Sequence, residues 1–105
     1  MNRVVFFLFF IFSFVSLHGA SNWVGDWIAY DEWQSEFKIS ILEGGKALSN
    51  YGDGEEGEWE IKNGNVEIIW DSSQTDYIFN GVMGIQRIRK KKNKSYSSGM
   101  RKLLD

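Results

Sequence analysis

Apolar and polar positions alternate with a period of two along most of this chain, most clearly from Gly57 to Asp71, GEWEIKNGNVEIIWD. Two alternating runs there flank an Asn-Gly pair, the strongest short-range signal for a β-hairpin. A two-residue turn at Asn63-Gly64 sets Lys62 opposite Asn65, Ile61 opposite Val66, Trp59 opposite Ile68 and Gly57 opposite Trp70. Trp59, Ile61, Val66, Ile68 and Trp70 then share one face, and Glu58, Glu60, Lys62, Asn65, Glu67 and Asp71 the other. Gly57 leaves room for the Trp70 indole across from it.

The same reading extends both ways. Gly25 precedes a strand over Trp27 to Tyr30, and Phe37, Ile39 and Ile41 alternate with polar neighbours in a second. Gly44-Gly45 turns the chain into a weaker third strand, Lys46 to Tyr51, pairing Ile41 with Leu48 and Ser40 with Ser49. The loop GDGEEG follows, then the central hairpin. A further strand over Asp76 to Phe79 returns through Asn80-Gly81 to Arg89, with Phe79 opposite Val82 and Ile78 opposite Met83. Ile78, Met83, Ile85 and Arg87 then line one face. Short strands at about ten-residue spacing, all joined by hairpins, predict an all-β fold. The expectation is a small antiparallel up-and-down β-barrel or coiled meander of seven to eight strands over residues 21–90.

Both ends of the chain differ from this. Asn2-Arg3, the apolar run Val4 to Leu17, and the small residues Gly19, Ala20 and Ser21 read as a signal peptide over residues 1–20. The run is shorter than the roughly 20 residues a spanning helix needs. The domain is therefore expected to be exported, in a bacterial periplasm or secreted. From Lys90 the chain is basic and nearly patternless, so residues 91–105 read as a flexible tail, with a short amphipathic turn hinted at by Tyr96, Met100, Leu103 and Leu104.

Removing residues 1–20 takes six of the eight Phe and the only His, leaving a chain with no Cys, His or Pro. Nucleophilic triads built on Cys or His and zinc sites are excluded. Disulfide staples are excluded too, so aromatic packing has to hold the core. The carboxylates of Asp53, Glu55, Glu56 and Glu58 do not follow a calcium-loop spacing. No cofactor, no metal and no nucleic-acid partner is expected, and no enzymatic activity.

Charge is segregated. The barrel sequence is acidic, whereas Arg87 to Lys102 carries eight of the twelve basic residues. The tail is read either as a solvated basic segment or as a contact for an anionic membrane surface through Lys90, Lys91, Lys92 and Lys94.

Gly25-Asp26-Trp27 at the head of the first strand, with an Arg on the last, resembles the signature of calycin-type barrels: lipocalins, fatty-acid-binding proteins and small secreted inhibitors of bacterial metalloproteases. Gly57-Glu58-Trp59 with its hairpin is similar to short lipocalin-like domains of exported proteins. The resemblance implies that Gly25, Trp27 and Arg87 close the barrel, the guanidinium lying over the indole, with Arg89 as the alternative partner. It also implies binding of a small apolar molecule in the barrel mouth or of an exported protein. A protease-inhibitor reading would use the mature N-terminus, Ser21 to Val24; a carbohydrate-binding reading would use exposed indoles. Trp33, in a polar loop with no core role, is the first candidate for a contact. Trp23, which also breaks the alternation, and Tyr51 join it. The state of the interior decides among these: an open barrel favours a small ligand, a filled one favours loops and N-terminus.

Overall fold

A computed structural model describes residues 22–104; the signal peptide expected over 1–20, with Ser21, lies outside the described residues. The chain forms a single antiparallel sheet of nine strands: β1 (Gly25–Tyr30), β2 (Glu36–Ile41), β3 (Lys46–Ser49), β4 (Glu55–Lys62), β5 (Asn65–Trp70), β6 (Thr75–Gly81), β7 (Gly84–Lys90), β8 (Ser95–Gly99) and β9 (Arg101–Lys102). Each strand from β1 to β8 pairs with its neighbours in sequence, and β9 returns to pair with β1, so the sheet curls into a nearly closed up-and-down barrel. Among the described residues there is no helix.

The central hairpin forms in the expected register, from Lys62 opposite Asn65 to Gly57 opposite Trp70. Asn63 and Gly64 both take left-handed conformations, φ 56° and 81°, as a two-residue turn matching the twist of its strands requires. Trp59, Val66, Ile68 and Trp70 are buried; Ile61, at the end of β4, is not. Gly57 is needed where it stands. A Cβ there would lie 2.5 Å from the Ile69 carbonyl oxygen and 2.9 Å from the Trp70 ring.

Two other turns differ from the expected ones. At Gly44-Gly45 the observed pairs are Ile41 with Ala47 and Ser40 with Leu48, one residue away from the pattern's register. A slip of one reverses the faces of a strand. Ala47 enters the barrel opposite Gly57, in space already crowded by indoles, and the larger Leu48 turns out to solvent. Asn80-Gly81 does not make the second turn. Gly81 pairs with Gly84, and Val82 and Met83 form an exposed tip, so Met83 leaves the face assigned to it. The shift leaves the other faces unchanged and sets Arg89 directly opposite Asp76. Those two side chains form a buried ion pair, a contact that the Asn-Gly register would have offset along the strands.

The basic segment is structured rather than a flexible tail. Residues 95–99 pair with β7 along its whole upper length, from Lys90 opposite Ser95 to Gln86 opposite Gly99. Past Met100 the same segment crosses to the other edge of the sheet, where Arg101 and Lys102 pair with Ile28 and Trp27. Tyr96, Ser98 and Met100 alternate inward, a strand spacing and not the helical one that the apolar residues hinted at. One terminal segment thus serves both edges of the sheet, which gives nine strands where seven to eight were expected.

Candidate functional site

Inward-facing side chains are buried at both ends of the barrel. The end holding the chain terminus and the β2–β3, β4–β5 and β6–β7 turns is apolar. Trp23, Trp27, Ile41, Trp59 and Met100 are buried there. Trp23 stacks on Trp27 with ring centroids 5.8 Å apart, and its carbonyl accepts the Trp27 indole N–H at 3.0 Å. The Trp59 indole donates to the Leu42 carbonyl at 2.7 Å. The cation over Trp27 is Lys102, whose Nζ lies 5.7 Å from the ring centroid and donates to the Asn22 carbonyl at 3.0 Å. Gly25, at φ 141°, makes room for it: a Cβ there would be 2.9 Å from Lys102 Cε. Trp27 is buried at this end, and the cation over its ring is a lysine from β9 and not Arg87.

Arg87 plugs the opposite end. Asp76, Arg87 and Arg89 have no exposed side-chain surface and Glu55 retains 14%. All four point inward because their strands alternate: Asp76 is in phase with Ile78, and Arg87 and Arg89 with Ile85. Asp76 Oδ1 accepts from Arg87 Nη1 at 2.8 Å and Arg89 Nε at 2.9 Å. Oδ2 accepts from Arg89 Nη2 at 2.7 Å and the Trp70 indole at 2.9 Å. Four donors fill the capacity of the carboxylate. Arg89 also grips Glu55 through both terminal nitrogens, at 3.2 and 3.1 Å. The guanidiniums lie over aromatic rings, Arg87 over Phe37 and Tyr96, Arg89 over Phe37, Tyr51 and Trp70. Two positive and two negative groups make this plug neutral.

Burial alone would push the Asp76 carboxyl up. The Arg89 hydrogen bonds, the charges of Arg87 and Arg89 and the Trp70 indole together outweigh burial and hold it below the ordinary carboxylate range. Burial would likewise lower Arg89, but Asp76 and then Glu55 hold it above its ordinary value.

The plug also closes the seam of the barrel. Between the upper halves of β1 and β8 no backbone ladder forms, and the Tyr30 carbonyl is met instead by Arg87 Nη2 at 2.6 Å and Ser98 Oγ at 3.0 Å. The Arg87 Nε is left as a buried nitrogen without a partner among the described residues.

Above the plug, the rim carries the exposed chemistry. Trp33 is 79% exposed, in a β1–β2 loop that is firmly built. The buried Asp31 carboxylate accepts the backbone N–H of Trp33 at 2.8 Å and of Ser35 at 2.9 Å. Beside it stands the β7–β8 turn, where Lys90, Lys92 and Lys94 are exposed. Lys91 is engaged: its Nζ lies 3.2 Å from Glu32 Oε1 and 5.6 Å from the Tyr96 ring.

The residues singled out from the sequence therefore do not form one site. Trp33 is offered to solvent at one end. Trp23 is folded into the other, so its indole is a lid and not a free contact. Tyr51 is half-buried against Phe37, with centroids 4.9 Å apart. Asp76 and Lys102 have no role in the sequence reading, Arg89 enters it only as the alternative to Arg87, and Glu55 only as a carboxylate of the polar loop; charges in phase with apolar inward positions are the signal for Asp76, Arg89 and Glu55. Among the described residues no cluster of His, Cys, Asp or Glu could hold a metal ion. The grooves on the described surface lie outside the sheet and on its rim, two on the outer faces of β4–β5 and β5–β7 and one beside Glu55.

Fold and site together define a nearly closed antiparallel barrel with a solid interior. No family model, curated protein or solved structure matches the chain.

Proposed function

We propose that this chain is an exported, non-catalytic interaction module, built on a calycin-like barrel, that binds through its rim and not through a ligand held inside. The observation that carries this reading is the filled interior: indoles close one end and the Asp76–Arg87–Arg89–Glu55 network the other, while a rigid loop holds Trp33 out in water. Binding of an apolar molecule in such a barrel would require breaking a neutral, buried ion-pair network, which costs several kcal/mol. The Gly25-Asp26-Trp27 closure supports the calycin-like assignment, and the sequence pattern of residues 1–20 supports export. Insertion of the N-terminal segment into a protease would first require Trp23 to leave Trp27 and Lys102 to release Asn22.

Titration with a long-chain fatty acid, followed by tryptophan emission, tests the reading. The expected result is no saturable quenching. Stoichiometric uptake that quenches Trp59 or Trp70, and is lost when those residues are replaced, would overturn it.

A further inference from the structure

We propose that the rim around Trp33 docks on an anionic lipid bilayer. This rests on the interaction-module reading and names its partner. Three independent features of the same end point there.

The first is the indole. Trp33 is held out by the Asp31 turn, with Gln34 in a left-handed conformation at φ 67°. An amphipathic ring exposed on a stiff loop is at home at the level of lipid headgroups, where tryptophan concentrates.

The second is the charge beside it. Lys92 and Lys94 project from the neighbouring turn, Lys90 is exposed at the end of β7 that leads into it, and the Lys91–Glu32 ion pair ties that turn to the Trp33 loop. The same pair neutralises the acidic residue next to Trp33, and Asp31 is buried with its carboxylate occupied. Glu36, exposed at the start of β2, remains the nearest uncompensated acid in sequence. Lysines act on a bilayer as point charges, each adding to the attraction.

The third is the opposite wall. The outward positions of β4 are Glu56, Glu58 and Glu60, and Glu60 faces Glu67 on β5; Lys62 reaches Glu67 at 3.7 Å. In the ring of strands β4 stands four places from β8 and three from β1. An anionic surface therefore attracts the Trp33–lysine side and repels the far wall, which sets one orientation. Asp53 and Asp71, on the rim loops nearer that wall, tilt away with it.

The test uses the chain from Asn22, which contains all nine strands and the whole described core, with its fold confirmed by circular dichroism. Vesicles of phosphatidylcholine with about one-third phosphatidylglycerol are compared with pure phosphatidylcholine by co-sedimentation and tryptophan emission. Binding and a blue shift are expected with the anionic vesicles alone, both declining as salt rises. Lys92→Gln and Lys94→Gln should each weaken partitioning about five-fold, and Trp33→Ala about ten-fold with loss of the blue shift, all without change in the fold. Equal binding to zwitterionic vesicles, no binding, or binding to soluble dextran sulfate at least as strong and indifferent to Trp33→Ala would overturn the proposal. If vesicles fail and fatty acid also fails to enter, the bilayer is removed and the rim-binding module stands. Fatty-acid uptake into the interior would instead remove the module reading itself.

Discussion

The two ends of this barrel solve the same problem by opposite means. At one, Trp23, Trp27 and Trp59 fill the space with hydrocarbon, and Trp27 and Trp59 pass their indole N–H groups to nearby backbone carbonyls. At the other, Trp70 gives its N–H to a buried carboxylate, which is held in turn by two buried guanidiniums. The apolar end is tolerant, because any body of similar volume excludes water from it. The charged end is exacting, because each member compensates another, and removing one exposes the rest to a medium that cannot solvate them.

The most severe test of that contrast is Asp76→Asn, which hardly changes shape. It should cost about 3–5 kcal/mol in urea unfolding, since two buried guanidiniums lose their counter-charge; a cost below about 1 kcal/mol would mean that water reaches the network.

Acid should expose the same asymmetry. The folded state holds the Asp76 carboxyl below its ordinary value of 3.8, so the unfolded chain takes up that proton first as pH falls. The contribution of Asp76 is thus fully present above the ordinary value and is lost as pH drops through the lower, folded one. Urea melts from about pH 6 to about pH 2 should show a stability loss that is smaller in Asp76→Asn than in the parent. Parallel curves would remove Asp76 from the acid response.

Trp59→Phe probes the tolerant end. It keeps the apolar body, and the Leu42 carbonyl it releases is near water, so the cost should be about 1.5 kcal/mol or less by the same melts. Trp33→Ala should change stability by no more than about 0.5 kcal/mol, because its ring rests on nothing. A larger loss would show that the Asp31 loop depends on the indole.

What the sequence made legible follows the same division. The central hairpin, its register and the fit of Gly57 to Trp70 could be read because period-two alternation and an Asn-Gly turn agreed there. The turn of the other Asn-Gly pair moves two residues along, which replaces Ile85 by Arg89 opposite Asp76, and a local turn preference of this kind yields to a buried network. The β2–β3 register turned on whether Ala47 or Leu48 fits opposite Gly57, a question of volume that alternation cannot decide. Strand β8 was hidden because its inward positions are Tyr96 and Ser98, with Met100 just beyond it, and of these only Met100 is plainly apolar. Its hydrogen-bonding value comes from closing the sheet and not from its side chains. Arg87 was correctly read as inward, but its partners were not, since they lie on β1, β6 and β8.

The terminal segment that splits its pairing between β7 and β1 also sets the timetable of assembly. Every other strand finds its partner a few residues away, whereas Trp27 has to wait for Lys102. Hairpins can therefore accumulate from the N-terminus onward while the outer edges of β1 and of the latest strand stay unpaired. A nascent chain lacking its last few residues would present two sticky margins to its neighbours. The ring shuts only once Arg101 and Lys102 have been made.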